Sequence, residues 1–446
     1  MKTGTRRSVR DAALPLTCLL AMLVVMSVLM AKPADAKTFT VTSKFDSSDL
    51  VPGDGICDVS PSQFVILCTL RGAIQEANAL SGADAIHFAI PDSGVQTIEP
   101  NTELPLITRQ VTIDGYTQPG AKQNTIEKGA TNAKPLIELS GENIASGASG
   151  LQINGPNSVV RGLVVNRFDG AGLGIVLLAL ASGSRVEGNF IGTDPSGTLD
   201  RGNGLAGVST VNSGLHTIGG TSPSARNLIS GNGSDFPDCG VRVRFNEQNV
   251  KVAGNLIGTK KDGSSSLGNS EHGVCMESDP IYLLNGSVDV TENTIAFNGG
   301  EGVQVYGSDA SNYILSNSIF SNGGPSIDLG PDGATPNDPQ DPDTGANNLQ
   351  NKPVLISATT SGAKTTIEGK LNSKPNRGFL VQFFSNPKGN EGKTFVGETF
   401  VSTNATGNVT FSFLVPKLTV PDGQKVTATA TGREGTSEFS APRTVT

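Results

Sequence analysis

A glycine followed by valine or isoleucine recurs at Gly174-Ile175, Gly207-Val208, Gly240-Val241, Gly273-Val274 and Gly302-Val303, so that the first three steps are equal and the last is slightly shorter. Such a period marks a chain built by stacking one small unit, because a unit this short cannot bury its apolar face alone. A second series, Asn-x-Ile, falls at Asn189, Asn227, Asn255, Asn293 and Asn317, and its distance from the glycine of its unit alternates between a shorter and a longer value: Gly174 to Asn189, Gly207 to Asn227, Gly240 to Asn255, Gly273 to Asn293, Gly302 to Asn317. The alternation makes the expected repeat two coils, the step from Gly174 to Gly240, and places Asn189-Phe-Ile-Gly-Thr-Asp one such step before Asn255-Leu-Ile-Gly-Thr-Lys.

Each Gly-Val opens an alternating run such as Val241-Arg-Val-Arg-Phe245, the period-2 pattern of a strand with Val241, Val243 and Phe245 inward. The Asn-x-Ile segments read as second strands, with Ile191, Ile229, Ile257, Ile295 and Ile319 inward. Stacked at the β spacing of about 4.8 Å, these strands share one core, and the asparagines align as a side-chain ladder at a turn. Helical repeats of this length exist, but Gly-Val-x-Val runs and Asn-Gly turns oppose them. With 55 glycines and no tryptophan in 446 residues, composition also favours tightly turned β structure. The expectation is an all-β solenoid over residues 101–325.

The open ends of such a stack must be covered, or their strand edges pair with other molecules. Residues 37–100 read as an N-terminal cap, with a strand at Thr38–Thr42 and a helix at Leu70–Ala79 that carries Leu70, Ala73, Ile74 and Ala77 on one face. Cys57 and Cys68 bracket the loop before the helix and are expected to form a disulfide that staples it. Residues 1–36 have the make-up of an export signal: basic Arg6, Arg7 and Arg10, an apolar run from Ala12 to Ala31, and Ala34-Asp-Ala36 as a small-residue cleavage site. That run is also long enough for an anchor helix, so cleavage stays open. After signal removal no membrane-spanning segment is expected, and the protein is expected to be secreted or at the cell surface.

Cys68-Thr-Leu-Arg-Gly-Ala-Ile-Gln-Glu-Ala-Asn78, preceded by Gly53-Asp-Gly-Ile-Cys57, resembles the CSLREA-motif segment that starts many bacterial secreted β-helix proteins. The usual Glu after Arg is Gly72 here, so any ion pair made by that Glu in relatives is absent. The coils, the stretch from Gly323 through Asn347-Asn-Leu-Gln-Asn-Lys-Pro353 and the tail Ser437-Glu-Phe-Ser-Ala-Pro442 are similar to the same group. The resemblance implies a right-handed parallel β-helix of pectin-lyase-like fold, and it implies little about activity, since the group is mostly without assigned function.

Residues 326–353, rich in Asp, Asn, Pro and Gly, read as a linker. Beyond it, Thr365–Leu371, Phe379–Phe384, Thr394–Val401, Val409–Val415 and Lys425–Thr431 are five alternating strands, which suit a small Ig-like β-sandwich over 354–446. The signal takes five of 33 Lys/Arg and two of 41 Asp/Glu with it, leaving 28 against 39, a net of −11. That balance opposes nucleic acid and anionic membranes as partners.

Pectin-lyase-like folds can host lyases and hydrolases of acidic polysaccharides, so the catalytic patterns of those enzymes bear on this chain. It has no Asp-Asp pair and no Gly-His-Gly, against a polygalacturonase-type site of closely set carboxylates. His87 and His216 read as structural, in a strand and beside a turn. Counting from each strand glycine, the outward +2 and +4 positions gather Arg242, Arg244, Glu277, Gln304 and Tyr306 on one exterior face over three coils. Arginines beside a carboxylate and a tyrosine could hold an acidic sugar, as a lyase requires, with Gln304 as a binding residue. The plainer reading is a surface salt bridge, since Arg244 and Glu277 are one coil apart and laterally adjacent. The same parity sets Cys275 outward and Cys239 opposite, so no bond between them is expected.

Asp328, Asp332, Asp338, Asp341 and Asp343 fall in a stretch without Lys or Arg, and Asp341-Pro-Asp343-Thr-Gly345 looks like the start of a calcium loop, with Asp338, Asp341 and Asp343 as ligands. Prolines interrupt it and the closing Glu of an EF-hand is missing, which favours a solvated acidic segment. Three readings follow: a non-catalytic surface protein for adhesion or contact with polysaccharide or cell-surface glycan, which is preferred; a polysaccharide lyase or hydrolase using the exterior arginine face; and a calcium-stabilised structural module.

Overall fold

The computed structural model describes residues 1, 35–59, 67–244, 249–277, 286–307, 311–330, 333–387 and 389–446. Among them, three parallel sheets of nine, eight and seven strands run side by side. Each full coil places one strand in each sheet: Val241–Arg244 lies in the third, Val250–Ala253 in the first and Leu256–Ile257 in the second. The Gly-Val strands stack in register as Val208, Val241, Val274 and Val303. The Asn-x-Ile strands stack as Ile191, Ile229, Ile257, Ile295 and Ile319, all buried as expected. Phe245 lies outside the described residues.

The strand between them, which the sequence pattern does not announce, carries Val186, Ile218, Val252, Val290 and Ile314 inward. It is short, and one or two inward residues leave too little periodicity to read. The alternating coil lengths behind the expected two-coil unit do not come from one repeated element. The extra length lies between Thr217–Gly219 and Leu228–Ile229 in the coil of Gly207, but between Val274–Glu277 and Val288–Thr291 in that of Gly273. What does alternate is a hairpin excursion after Ile191 and after Ile257, closed by the antiparallel bridges Thr193–Asp200 and Thr259–Ser266.

Two asparagine ladders hold the corners. In the first, Asn189, Asn227, Asn255, Asn293 and Asn317 each donate a side-chain N–H to the next, at 3.3, 2.9, 3.0 and 3.0 Å. A second ladder, Asn203, Asn232, Asn269, Asn298 and Asn322, runs with spacings of 2.8, 2.9, 2.9 and 2.9 Å. Each amide inside a ladder accepts from one coil and donates to the next, so these buried polar groups are satisfied.

The outside of the second sheet is not an open surface. Val164, Phe190, Leu228 and Leu256 form an apolar row there with Ala133, roofed by stacked loops tied through Lys261 N–H to Gly197 O (3.0 Å) and Thr131 N–H to Lys261 O (2.8 Å). Arg226 pins the same roof, its guanidinium donating to the carbonyls of Ile126, Glu127 and Ala130.

Both ends are closed. Helix Leu70–Ala79, capped by the Thr69 hydroxyl accepting from Gly72 N–H, packs Leu70, Ala73, Ile74 and Ala77 over the first strand. Cys57 and Cys68 are bonded, with Cα atoms 5.1 Å apart. At the far end a two-sheet antiparallel sandwich sits on the last coil: Val354–Ser361, Lys364–Asn372 and Asn408–Pro416 make one sheet, and Thr394–Ser402, Gly378–Asn386, Lys425–Gly432 and Gly435–Thr436 the other. Its Phe384 and Phe439 join the solenoid core, and Ile319 and Gly392 exchange backbone hydrogen bonds at 2.9 Å.

Residues 326–353 are not a solvated linker. Ile327–Leu329 is the last strand of the third sheet, and Asp341, Asn347, Gln350 and Asn351 are buried between solenoid and sandwich. Asn347 accepts from Asn312 N–H (2.9 Å) and donates to Thr436 O (2.9 Å), so its polar side chain closes the joint. Composition misled here because buried amides and carboxylates read as solvated when their partners lie far along the chain. No helix among the described residues is long and apolar enough to cross a membrane.

Candidate functional site

The exterior of the third sheet carries the charged face. Register aligns Arg242, Cys275 and Gln304 in one row across three coils, and Arg244, Glu277 and Tyr306 in another. Glu277 is its hub: Arg242 Nε and Arg244 Nε each lie 3.1 Å from its carboxylate, and Arg242 Nη1 is 2.8 Å from Asp238. Burial pushes the Asp238 carboxyl above its ordinary value, with the Cys239 backbone N–H and Arg242 opposing. Both arginines are thus engaged within the protein.

Next to this cluster the turns entering two successive third-sheet strands bring Glu271-His272 and Gly300-Glu301 together, lining a cavity of about 440 Å³ with Gln304, Tyr306 and Asp328. His272 is buried. Its Nδ1 faces both the Glu301 backbone N–H (3.2 Å) and the Glu301 carboxylate, while Nε2 lies 3.4 Å from the Tyr306 hydroxyl and 3.7 Å from Glu271. Burial raises the Tyr306 phenol above its ordinary value, and Glu271, Glu301, Asp328 and Glu277 raise it further. The hydroxyl therefore stays protonated at neutral pH, a donor and acceptor rather than a base.

The structure therefore brings Arg242, Arg244 and Glu277 together, but Tyr306 turns to His272 and Gln304 is buried. Gln304, between the inward Val303 and Val305, lies on the outer side of the sheet and lines the pocket, but it is buried there and donates to Gly330 O. Cys239 and Cys275, expected unpaired, are bonded with Cα atoms 6.0 Å apart. Strand alternation does not apply to Cys239, which precedes Val241–Arg244 in the turn and reaches the outside of the sheet where Cys275 sits. His272, Glu271 and Glu301 were missed, and Asp328 was read only as part of the acidic stretch. His272 and Glu301 occupy the position just before the strand glycine, which runs Leu173, Ala206, Cys239, His272, Glu301; its change from apolar to polar was the available signal.

Asp338, Asp341 and Asp343 do converge, each offering a carboxylate oxygen with all three atoms within 4.8 Å of one another. Asp341 is 1% exposed and accepts from Gln350 Nε2 (2.9 Å) and Asn351 N–H (3.2 Å). Burial raises its carboxyl to about 6, with Asp343 adding to the effect and the Ser373 and Asn351 hydrogen bonds opposing it. Asp338 Oδ1 and Asp343 Oδ1 are buried without a hydrogen-bond partner. Such a set of hard oxygens suits calcium. Asp332 lies outside the described residues.

No family model and no curated protein matches the chain. Among solved structures it is similar to the enzymatically active domain of bacteriophage CBA120 tailspike protein 2, at 11% identity over 86% of this chain and 73% of that one, with a TM-score of 0.23. It is also similar to the A-module of the Azotobacter vinelandii mannuronan C-5 epimerase AlgE6, at 15% identity over 60% of this chain and 95% of that one, with a TM-score of 0.18. Likenesses this low assign neither a family nor an activity.

Proposed function

We propose that this chain is an exported β-helix protein that holds glycan on the exterior of its third sheet without cleaving it. The observation that carries this reading is the open pocket of hydrogen-bonding side chains set on a rigid stacked wall. Against the rival lyase reading, β-elimination at a uronate needs a cation to neutralise the sugar carboxylate and a base to take the proton. Here Glu277 and Asp238 already engage the guanidiniums, and the Tyr306 phenol is held protonated. Export draws support from the composition of residues 1–36, the CSLREA-like segment and two disulfides, which persist in oxidising compartments.

Calorimetric titration of the mature protein with oligosaccharides of varied charge is expected to show binding to at least one, with no new reducing or unsaturated ends after prolonged incubation. Product that vanishes in Arg244→Ala would overturn this reading in favour of a lyase or hydrolase. Silence across the whole panel would overturn it as well.

A second reading concerns stability, favoured by the two unpartnered carboxylate oxygens at the joint. Asp338, Asp341 and Asp343 would hold a calcium ion between solenoid and sandwich. Because burial raises Asp341, that carboxyl alone favours the fold at low pH, an advantage lost as pH rises through about 6. Calcium, which needs the ionised form, should therefore raise the melting temperature at pH 7.5 and do little at pH 5. At a concentration ten times its Kd the gain is about 1.4 kcal/mol. A melting curve at pH 7.5 that is the same in calcium and in chelator rules the site out.

A further inference from the structure

Resting on the glycan reading above, we infer that the sugar seated in the third-sheet pocket carries a protonated amine: a hexosamine unit with a free 2-amino group, not a uronate.

Charge carries the inference. Three carboxylates, Glu271, Glu301 and Asp328, line the cavity, and among the described residues no Lys or Arg does. His272 is the single lining group able to be cationic, and one imidazole cannot balance three carboxylates even when protonated. The Arg242 guanidinium is held by Glu277 and Asp238 on the flanking wall. The pocket thus keeps a net negative charge in walls that exclude part of the solvent, where like charges repel more strongly than in water. A uronate carboxylate would meet that field; an ammonium would satisfy it.

Two features favour a sugar over a basic peptide. Strands Val274–Glu277 and Val303–Tyr306 are each paired on both sides within the stack, so no sheet edge is offered to a peptide backbone. The Tyr306 phenol, kept protonated, and the Ser270 hydroxyl can both donate and accept, which matches the hydroxyls of a pyranose.

The test titrates the full mature chain with a glucosamine hexamer, its N-acetylated counterpart, a mannuronate hexamer and hexalysine. The glucosamine oligomer is expected to bind, N-acetylation to weaken it about tenfold or more, and added salt to weaken it further. Glu271→Gln, at a half-exposed side chain, should weaken binding about three- to tenfold at an unchanged melting temperature, and Glu301→Gln should weaken it too. Equal or tighter binding of the acetylated or uronate oligomer overturns the charge inference while leaving glycan contact standing. Hexalysine binding as tightly as the amino sugar replaces the sugar with a basic peptide. Unchanged affinity in both variants removes the pocket as the site, and no oligosaccharide bound at all sinks the glycan reading itself.

Discussion

Asn255→Ala is expected to lower the unfolding free energy by about 3–5 kcal/mol, a large effect for truncating one polar side chain. Asn255 sits mid-ladder and is 1% exposed. Its Oδ1 accepts from the Asn227 backbone (3.3 Å) and side chain (2.9 Å), while its Nδ2 donates to Ile218 O (2.9 Å) and Asn293 Oδ1 (3.0 Å). Truncation removes four hydrogen bonds inside the stack at about 0.5–1.5 kcal/mol each, although Asn227 Nδ2 keeps Val186 O (2.8 Å) and Asn293 Oδ1 keeps the Asn255 backbone N–H (2.9 Å). Removing the neighbouring ladder residue should then cost less than the first, because the bond between the two is already lost. A urea series on Asn255→Ala, Asn293→Ala and the double variant measures both effects. A loss below about 1 kcal/mol for Asn255→Ala would mean that water replaces the ladder, and that the asparagines shape the turn without holding it.

The second large effect is acid sensitivity centred on His216. This ring is 0% exposed, and neither nitrogen makes a hydrogen bond. Burial pushes its proton affinity down from 6.5 to about 4, with a nearby Ser184 backbone group partly opposing. Only the unfolded chain takes up a proton between those values. The stability tied to this residue is therefore complete above pH 6.5 and drains away as pH falls toward 4, about 3 kcal/mol in all. In His216→Leu that portion of the acid slope should disappear while stability at pH 7.5 stays level or rises, since an apolar side chain leaves no orphaned nitrogen. Parallel denaturation curves at pH 4, 5.5 and 7.5 decide it; identical slopes in parent and variant would show that the ring is protonated in the fold.

What could be read in advance follows from what repetition exposes. The Gly-Val and Asn-x-Ile strands were legible because five coils repeat the same inward residue, and stacking multiplies one preference into a pattern. The first-sheet strand was not, since Val186, Ile218, Val252, Val290 and Ile314 each stand nearly alone between turns. The Arg242–Arg244–Glu277 cluster came from register arithmetic and the side chains meet as the spacing implied. That arithmetic counted only positions inside strands. It passed over the turn just before each glycine, which supplies His272, Glu301 and the Cys239 half of a disulfide. The acidic stretch failed for another reason: besides Gln350 in the same stretch, Asp341 is held by Ser373, which lies beyond the stretch in the sandwich.

The hairpin excursions over the second sheet limit how this chain can change length. The Gly197–Lys261 tie joins loops two coils apart, skipping the intervening coil, which makes no such excursion. A hairpin is two strands wide, about twice the 4.8 Å coil spacing, so consecutive coils have no room to carry one each. Duplicating one coil between the hairpins would separate them and uncover Phe190, Leu228 and Leu256, whereas duplicating an adjacent pair, one coil of each kind, reproduces the covering. Along this stretch, growth or shrinkage by internal duplication is compatible with the roof only in even steps.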